Sequence, residues 1–430
     1  MASSTWRDSL KLSCCCRAPL RLISTFHSGT TTGGDRVRTP TESLQRGYNA
    51  RLQNEAACRE QGGCHPLMTK YAWSVGMAFA IALLMSACVS ATSDHTVVLD
   101  DLNEPRGMWI LTDGTLCVAE AGSLPEGQSV REGPTANRAD TGSLTCMDAD
   151  GARQRVVEQL PYVLYNVTGV TTGPADVAEM GGELYLLTGE GEGDLARTLL
   201  RITDHTAPPD VVGDFLAFAT ETAPADFFDV THIFSNPFAM VPDPGNGRFL
   251  VTDGATGHVL AVGLDGAIEV FAELPGHEVL TGIARGPDGA IFVASFSQLP
   301  HATGTGSVLQ VFADGSFAVA VDIVTTPIDL AFDAAGRLYV LEFIGDNGSS
   351  DPYRGRTGRL LRFEPDGDGW DSGTVLIENL PFPTALLIDA RDRVYISVHG
   401  AFSAAGSGLV VRIHDLAERE AGDPPLQFTE

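Results

Sequence analysis

The chain has 430 residues, 43% of them hydrophobic, and sets 28 Lys+Arg against 55 Asp+Glu for a formal net charge of −27. That balance excludes nucleic acid as a natural partner, because such binding rests on phosphate neutralisation by Lys and Arg. It favours solubility and the attraction of cations instead, and the hydrophobic content is ample for a large core.

The charge is unevenly spread. Residues 1–87 hold 10 of the basic and 5 of the acidic residues, and from Cys88 onward 18 basic residues face 50 acidic ones. Residues 1–67 are rich in Ser, Thr, Arg and Cys and show no sustained periodicity. They read as a leader: untranslated upstream sequence, a disordered tail or a transit peptide. Met68-Thr-Lys70, the apolar run Val75 to Met85 and Ser86-Ala87 then have the layout of a secretory signal over 68–87. The run is too short to span a bilayer, which takes about 20 residues. Both Met1 and Met68 stand as possible starts. Met85-Ser-Ala-Cys88 resembles a bacterial lipobox, with Met where Leu or Val is usual. This makes Cys88 a lipidation site and 88–95 a tether, and implies a periplasmic or cell-surface protein that meets the membrane only through its anchor. Free secretion is the alternative.

A hairpin pattern then recurs. Its clearest copy runs from Thr326 to Phe343: an apolar run opened by Pro327, a turn over Asp333 to Arg337 with Gly336 suited to positive φ, and a second β-rich run. Related copies begin near Arg106, Ala175, Phe238, Thr281 and Thr384, giving six. A third strand follows each copy, as in Gly142 to Cys146, Thr198 to Ile202 and Gly408 to Ile413. An outer fourth strand leads to the next copy. Four-stranded units at this spacing predict an all-β fold, a six-bladed β-propeller over 96–416 with a charged tail at 417–430. No outer strand follows Ile413, and the run Thr96 to Leu99 aligns with Thr374 to Ile377 as a spare one. The ring is therefore expected to close by strand 96–99 joining the last blade. Insertions fall at 121–141, at the aromatic stretch 214–235, which has room for a short helix, and at 345–357.

Aligning the hairpins nominates the residues that face the central channel. One position holds Gly107, Asp176, Ala239, Gly282, Asp329 and Ala385. The end of the second strand holds Glu120, Thr188, Asp253, Ser295, Glu342 and Val398, with His399 next. Blades two and five are opposite in a ring of six, so Asp176 and Asp329 are expected to face each other. Converging carboxylates suit calcium, which takes about 6–8 oxygen ligands. Equally, Asp176 and Asp329 can cap strand ends by accepting backbone N–H bonds. Arg106, Glu120, Asp253, Glu342 and His399 complete a candidate ligand site at the channel mouth. Asp366 to Asp371 has Trp370 where a calcium loop needs Asp or Asn, and reads as a turn. Cys117 and Cys146 lie on adjacent strands, open either to a disulfide in an oxidising compartment or to two small buried hydrophobes. No nucleophile motif is present.

Leu-x-x-Pro-Arg-Gly at 102–107, Gly-Pro-x-Asp at 173–176 and Ser-Asn-Pro-Phe at 235–238 occur together with Asp-Gly and Gly-Arg hairpin turns. Together they resemble the ScyD/ScyE family of exported, NHL-like six-bladed propellers, over about residues 97–414. The resemblance implies the fold and export, but no established reaction. Glu104-Pro105 with Trp109 is similar, one residue out of step, to the metal-binding opening of the gluconolactonase family. A streptogramin-type lyase would need a channel histidine, for which His301 and His399 are the candidates. The resulting expectation is a monomeric exported propeller that binds a small molecule, protein or glycan at its channel mouth. The alternative is a calcium-dependent, lactonase-like hydrolase or lyase using Asp176, Asp329, Glu120 and Glu342.

Overall fold

The computed structural model describes residues 94–124, 131–132, 135–203, 207–222, 235–345, 357–414, 416, 419–420 and 422–428. The leader, the signal segment, Cys88 and most of the tether lie outside the described residues, as do 223–234 of the aromatic stretch and His232 within it. Among the described residues no helix is long and apolar enough to cross a membrane.

Six antiparallel sheets form the blades. Blade 1 starts at the channel with Pro105–Ile110 and continues outward through Leu116–Glu120, Ala136–Met147 and Arg153–Tyr165. The innermost strands of blades 2 to 6 are Pro174–Met180, Pro237–Asp243, Leu280–Arg285, Pro327–Phe332 and Ala385–Ile388. Each inner strand packs on the next, and the last packs on the first, which closes a six-bladed ring. The outer strand of blade 6 is His95–Leu102, paired antiparallel with Gly408–Ile413. The expected N-terminal closure is therefore present.

The core fills the wedges between blades. Second and third strands carry Val, Leu, Ile and aromatic residues on both faces, because each lies between two neighbouring sheets. Leu116–Glu120 and Val394–Val398 are buried throughout their length. Outer strands are more open, as in Phe317–Val324, where only Val321 and Val324 are buried. Gly336 has φ +81° in the blade 5 hairpin turn, as the sequence requires.

Two details depart from the sequence reading, and a third is the short helix it allowed for. The third and fourth strands of blade 1 are long, so residues 136–141, expected in a loop, belong to a ribbon paired from Ala136 opposite Tyr165 to Met147 opposite Arg153. Their cross-strand hydrogen bonds outweigh the turn-like composition there. The aromatic stretch does hold a helix, Phe215–Thr222, which buries Phe215 between blades 2 and 3. The end of the chain is not a bare tail: Leu426–Gln427 pairs in parallel with Thr374–Leu380, and Phe428 stacks on His95 with ring centroids 4.6 Å apart.

Candidate functional site at the channel and its mouth

The inner strands enclose two cavities. One, of about 500 Å³, runs from the waist of the channel to the side where these strands end, and is lined by Met108, Trp109, Met240, Ile283, Phe332 and Leu386 among others. The second, of about 630 Å³, opens on the side where the strands begin.

Asp176 and Asp329 stand at the waist, on the wall of the first cavity. The register slips between Pro174 and Asp176, and again between Pro327 and Asp329. Each slip frees a carboxylate to turn along the ring. One oxygen of Asp176 accepts the Val177 N–H at 2.8 Å and the other the Met240 N–H of blade 3 at 2.8 Å. Asp329 repeats the pattern with Leu330 at 2.8 Å and Leu386 of blade 6 at 2.7 Å. Both carboxylates therefore clasp one blade to the next. Burial pushes Asp176 up to about 8, with the facing charge of Asp329 adding to the rise although the Met240 N–H opposes it. Burial likewise pushes Asp329 up to about 7, against its two backbone bonds. Both side chains are part-exposed to the bore, yet desolvation by the surrounding blades outweighs their hydrogen bonds.

The other nominated carboxylates do not reach the channel. Glu120 is wholly buried inside blade 1, where it accepts the Asn103 N–H at 2.7 Å, the Ser143 hydroxyl at 3.1 Å and the Thr145 hydroxyl. Glu342 is equally buried, taking the Thr325 N–H at 2.7 Å and Arg359 Nη2 at 2.6 Å. Asp253 binds the Ser235 hydroxyl at 2.6 Å and the Asn236 N–H at 3.0 Å. All three secure the segment that precedes their own blade's inner strand, which the strand-end position allows and the mouth position would not. Among the described residues no three His, Cys, Asp or Glu side chains are grouped as a metal would need. Asp176 and Asp329 bring two carboxylates to the waist, each oxygen already accepting one backbone N–H, whereas calcium takes about 6–8 oxygen ligands. His399 is held by its N–H to Pro381 O at 2.7 Å and is not part of the mouth wall. Cys117 and Cys146 are directly opposite and joined as a disulfide.

Besides His301, Arg106 is the nominated residue that lines the mouth cavity. Its Nη2 donates to Thr171 O at 3.1 Å and to Thr171 Oγ1 at 2.8 Å, and lies 3.6 Å from Glu104 Oε2. Glu104 is buried, accepts the Thr171 hydroxyl and is bound by backbone N–H groups of Ser403 and Phe402. Across the ring, on blade 4, His301 also lines the cavity. Its Nδ1 faces Ser297 O at 2.9 Å, so Nδ1 carries the proton and Nε2 is the basic nitrogen. Burial holds this imidazole below its ordinary value, and so neutral near pH 7.

Sequence reasoning missed the aromatic wall. Phe296, Phe343 and Phe402 line the mouth, and Phe382 packs behind. Phe343 is 6.4 Å from Phe296 and 6.3 Å from Phe402, and Phe382 is 5.5 Å from Phe402, all tilted. The available signal was a phenylalanine immediately after the buried polar residue that ends a second strand: Ser295-Phe296 and Glu342-Phe343.

The fold and this arrangement define a six-bladed β-propeller with a cavity at its channel mouth. No protein-family model and no curated protein sequence matches the chain. Solved structures do. Virginiamycin B lyase from Staphylococcus aureus with quinupristin is 11% identical, covering 75% of this chain and 98% of that one, with a TM-score of 0.42. A gluconolactonase from Xanthomonas campestris is 14% identical over 74% of this chain and 88% of that one, TM-score 0.45. A chain of a nidogen–laminin complex is 15% identical over 68% and 93%, TM-score 0.44.

Proposed function

We propose that the protein binds a small molecule with an apolar body in the mouth of its propeller channel. The observation that carries this is the cavity of about 630 Å³ walled by Phe238, Phe296, Phe343, Phe402 and Ile328, with polar groups confined to a few points. A concave, mostly apolar site with a few convergent polar groups is the usual form of a small-molecule site. The ScyD/ScyE resemblance, carried by the repeat motifs, accords with this reading, as does export with anchoring through Cys88. The alternative of a calcium-dependent hydrolase or lyase has less support, because Asp176 and Asp329 clasp backbone N–H groups while Glu120 and Glu342 are buried inside their own blades.

The test is thermal melting of the full chain with 1-methylnaphthalene. The wild-type melting temperature should rise, since a ligand that binds only the folded state stabilises it. Val170→Trp/Val279→Trp, which sets two indoles into the mouth from different sides, should abolish the rise while melting normally without ligand. No rise in the wild type, or an equal rise in the variant, would overturn the proposal.

A further inference from the structure

We infer that the ligand of the mouth is uncharged and presents a single carbonyl-type acceptor to Arg106. The inference rests on the mouth-binding reading above and names its ligand class. Two observations carry it.

The first is geometric. Arg106 Nη2 is already engaged by Thr171, donating to both its carbonyl and its hydroxyl. Guanidinium recognises a carboxylate or phosphate best through two parallel N–H bonds, and both such edges of the group, Nη1–Nη2 and Nε–Nη2, need a hydrogen on Nη2. Among the described residues Nε and Nη1 have no partner, while the side chain stays on the cavity wall. What remains is a donor suited to one oxygen at a time, not to a paired anion.

The second is charge. Glu104 lies 3.6 Å from the guanidinium and is itself buried, so the pair adds no net charge to the cavity. The remaining wall is apolar except for Glu278, Asn236, Gln298, Ser297, His301 and the threonines 168, 172, 281 and 384. An anion would leave water for a site with no uncompensated positive charge and with Glu278 at its edge, a transfer that costs heavily without pairing. A neutral amide, ester or ketone oxygen needs one hydrogen bond, and Arg106 offers it. The apolar remainder of such a molecule then faces Phe296, Phe343 and Phe402, which lie on blades 4 to 6.

Four probes that share one ring system test this on the full chain by saturation-transfer NMR titration: 1-methylnaphthalene, naphthalene-1-acetamide, naphthalene-1-acetate and 1-naphthylmethylammonium. The amide should bind about five- to tenfold more tightly than the hydrocarbon, the effect of one net hydrogen bond. It should also exceed the acetate and the ammonium by at least as much. In Glu104→Gln/Arg106→Met, which removes the donor without leaving a buried charge unpaired, the amide should fall to the affinity of the hydrocarbon. If the acetate or the ammonium binds as tightly as the amide, or the double variant keeps the amide preference, the inference is overturned while mouth binding stands. If even 1-methylnaphthalene fails to bind, the mouth-binding reading fails and takes the inference with it.

Discussion

A carboxylate that accepts one backbone N–H on each oxygen is arranged for its charged form, yet burial works against that charge. At Asp176 and Asp329 burial wins, placing them near 8 and 7. The sign follows. A raised folded pKa means that the native state binds these protons more tightly than the unfolded chain, so stability must fall as pH rises from about 4 through 8. Asp176→Asn/Asp329→Asn should lower stability throughout, because an amide nitrogen cannot accept an N–H, but its stability should depend less on pH across that range. Urea melts of both proteins at pH 5, 6.5 and 8.5 check this; parallel profiles would disprove it. Calcium at millimolar concentration should leave both melting temperatures unchanged, and a rise confined to the wild type would instead restore the metal reading. Both aspartates, and their facing each other, were legible in the sequence, because the hairpin alignment fixes which inner-strand residue points along the bore. Glu120, Asp253 and Glu342 misled because the end of the second strand sits one strand further from the axis. There a carboxylate meets the backbone of its own blade before it meets the channel.

At the scale of the strand, the clasps explain an alternation along the chain. The aligned inner-strand position reads Gly107, Asp176, Ala239 and then Gly282, Asp329, Ala385, the same order twice. Each glycine immediately precedes an aspartate blade in the ring. A Cβ on Gly107 would stand 2.0 Å from Asp176 Oδ1 and 2.7 Å from its Cα, and one on Gly282 2.4 Å from Asp329 Oδ1 and 2.6 Å from its Cα. Backbone is involved in both, so a side-chain swing does not relieve the clash. Gly107→Ala and Gly282→Ala should each cost about 1–3 kcal/mol, the range for overpacking, whereas Gly114→Ala, whose Cβ meets nothing, isolates the cost of positive φ alone. Equal losses at all three positions would refute the clasp geometry. The disulfide belongs to this scale too: it ties the second and third strands of blade 1 across a separation of 29 residues. Cys117→Ser/Cys146→Ser should lose about 2–4 kcal/mol, and reductant should then have no further effect on it. The mouth, by contrast, was illegible at this scale. Its aromatic wall is assembled from loops of three blades, and nothing local distinguishes Phe402, on a loop of blade 6, from a core phenylalanine.

Within the described residues the first and last strands of the propeller come together, His95 stacking on Phe428. The first described strand, His95–Leu102, completes the last blade, and the last, Leu426–Gln427, lies against blade 5. Side-chain hydroxyls bridge further junctions, Thr252 to Thr281 O at 2.5 Å, Thr281 to Pro327 O at 2.7 Å and Thr384 to Pro105 O at 2.6 Å. A ring removes the exposed edges that a row of sheets would leave, but only while its closing strand stays in place. Leu102 and Leu99 of that strand are buried in the wedge that also holds Met108, Val118 and Tyr395, so closure unites blades 1 and 6 in one core. Leu102→Ala should therefore cost about 2–5 kcal/mol, as for a buried leucine. Thermal melts of this variant should remain a single transition, because the closing strand and both blades share that core. Removing residues 95–102 should have a different consequence. It strips blade 6 of its outer strand and bares the Gly408–Ile413 edge, so the shortened chain should self-associate, measurable by light scattering at concentrations where the full chain stays dispersed. A shortened chain that remained monomeric with an unchanged melt would show that the ring holds without its latch, and that the alignment of Thr96 to Leu99 with Thr374 to Ile377 marks common descent of the strands and not a closure the fold depends on.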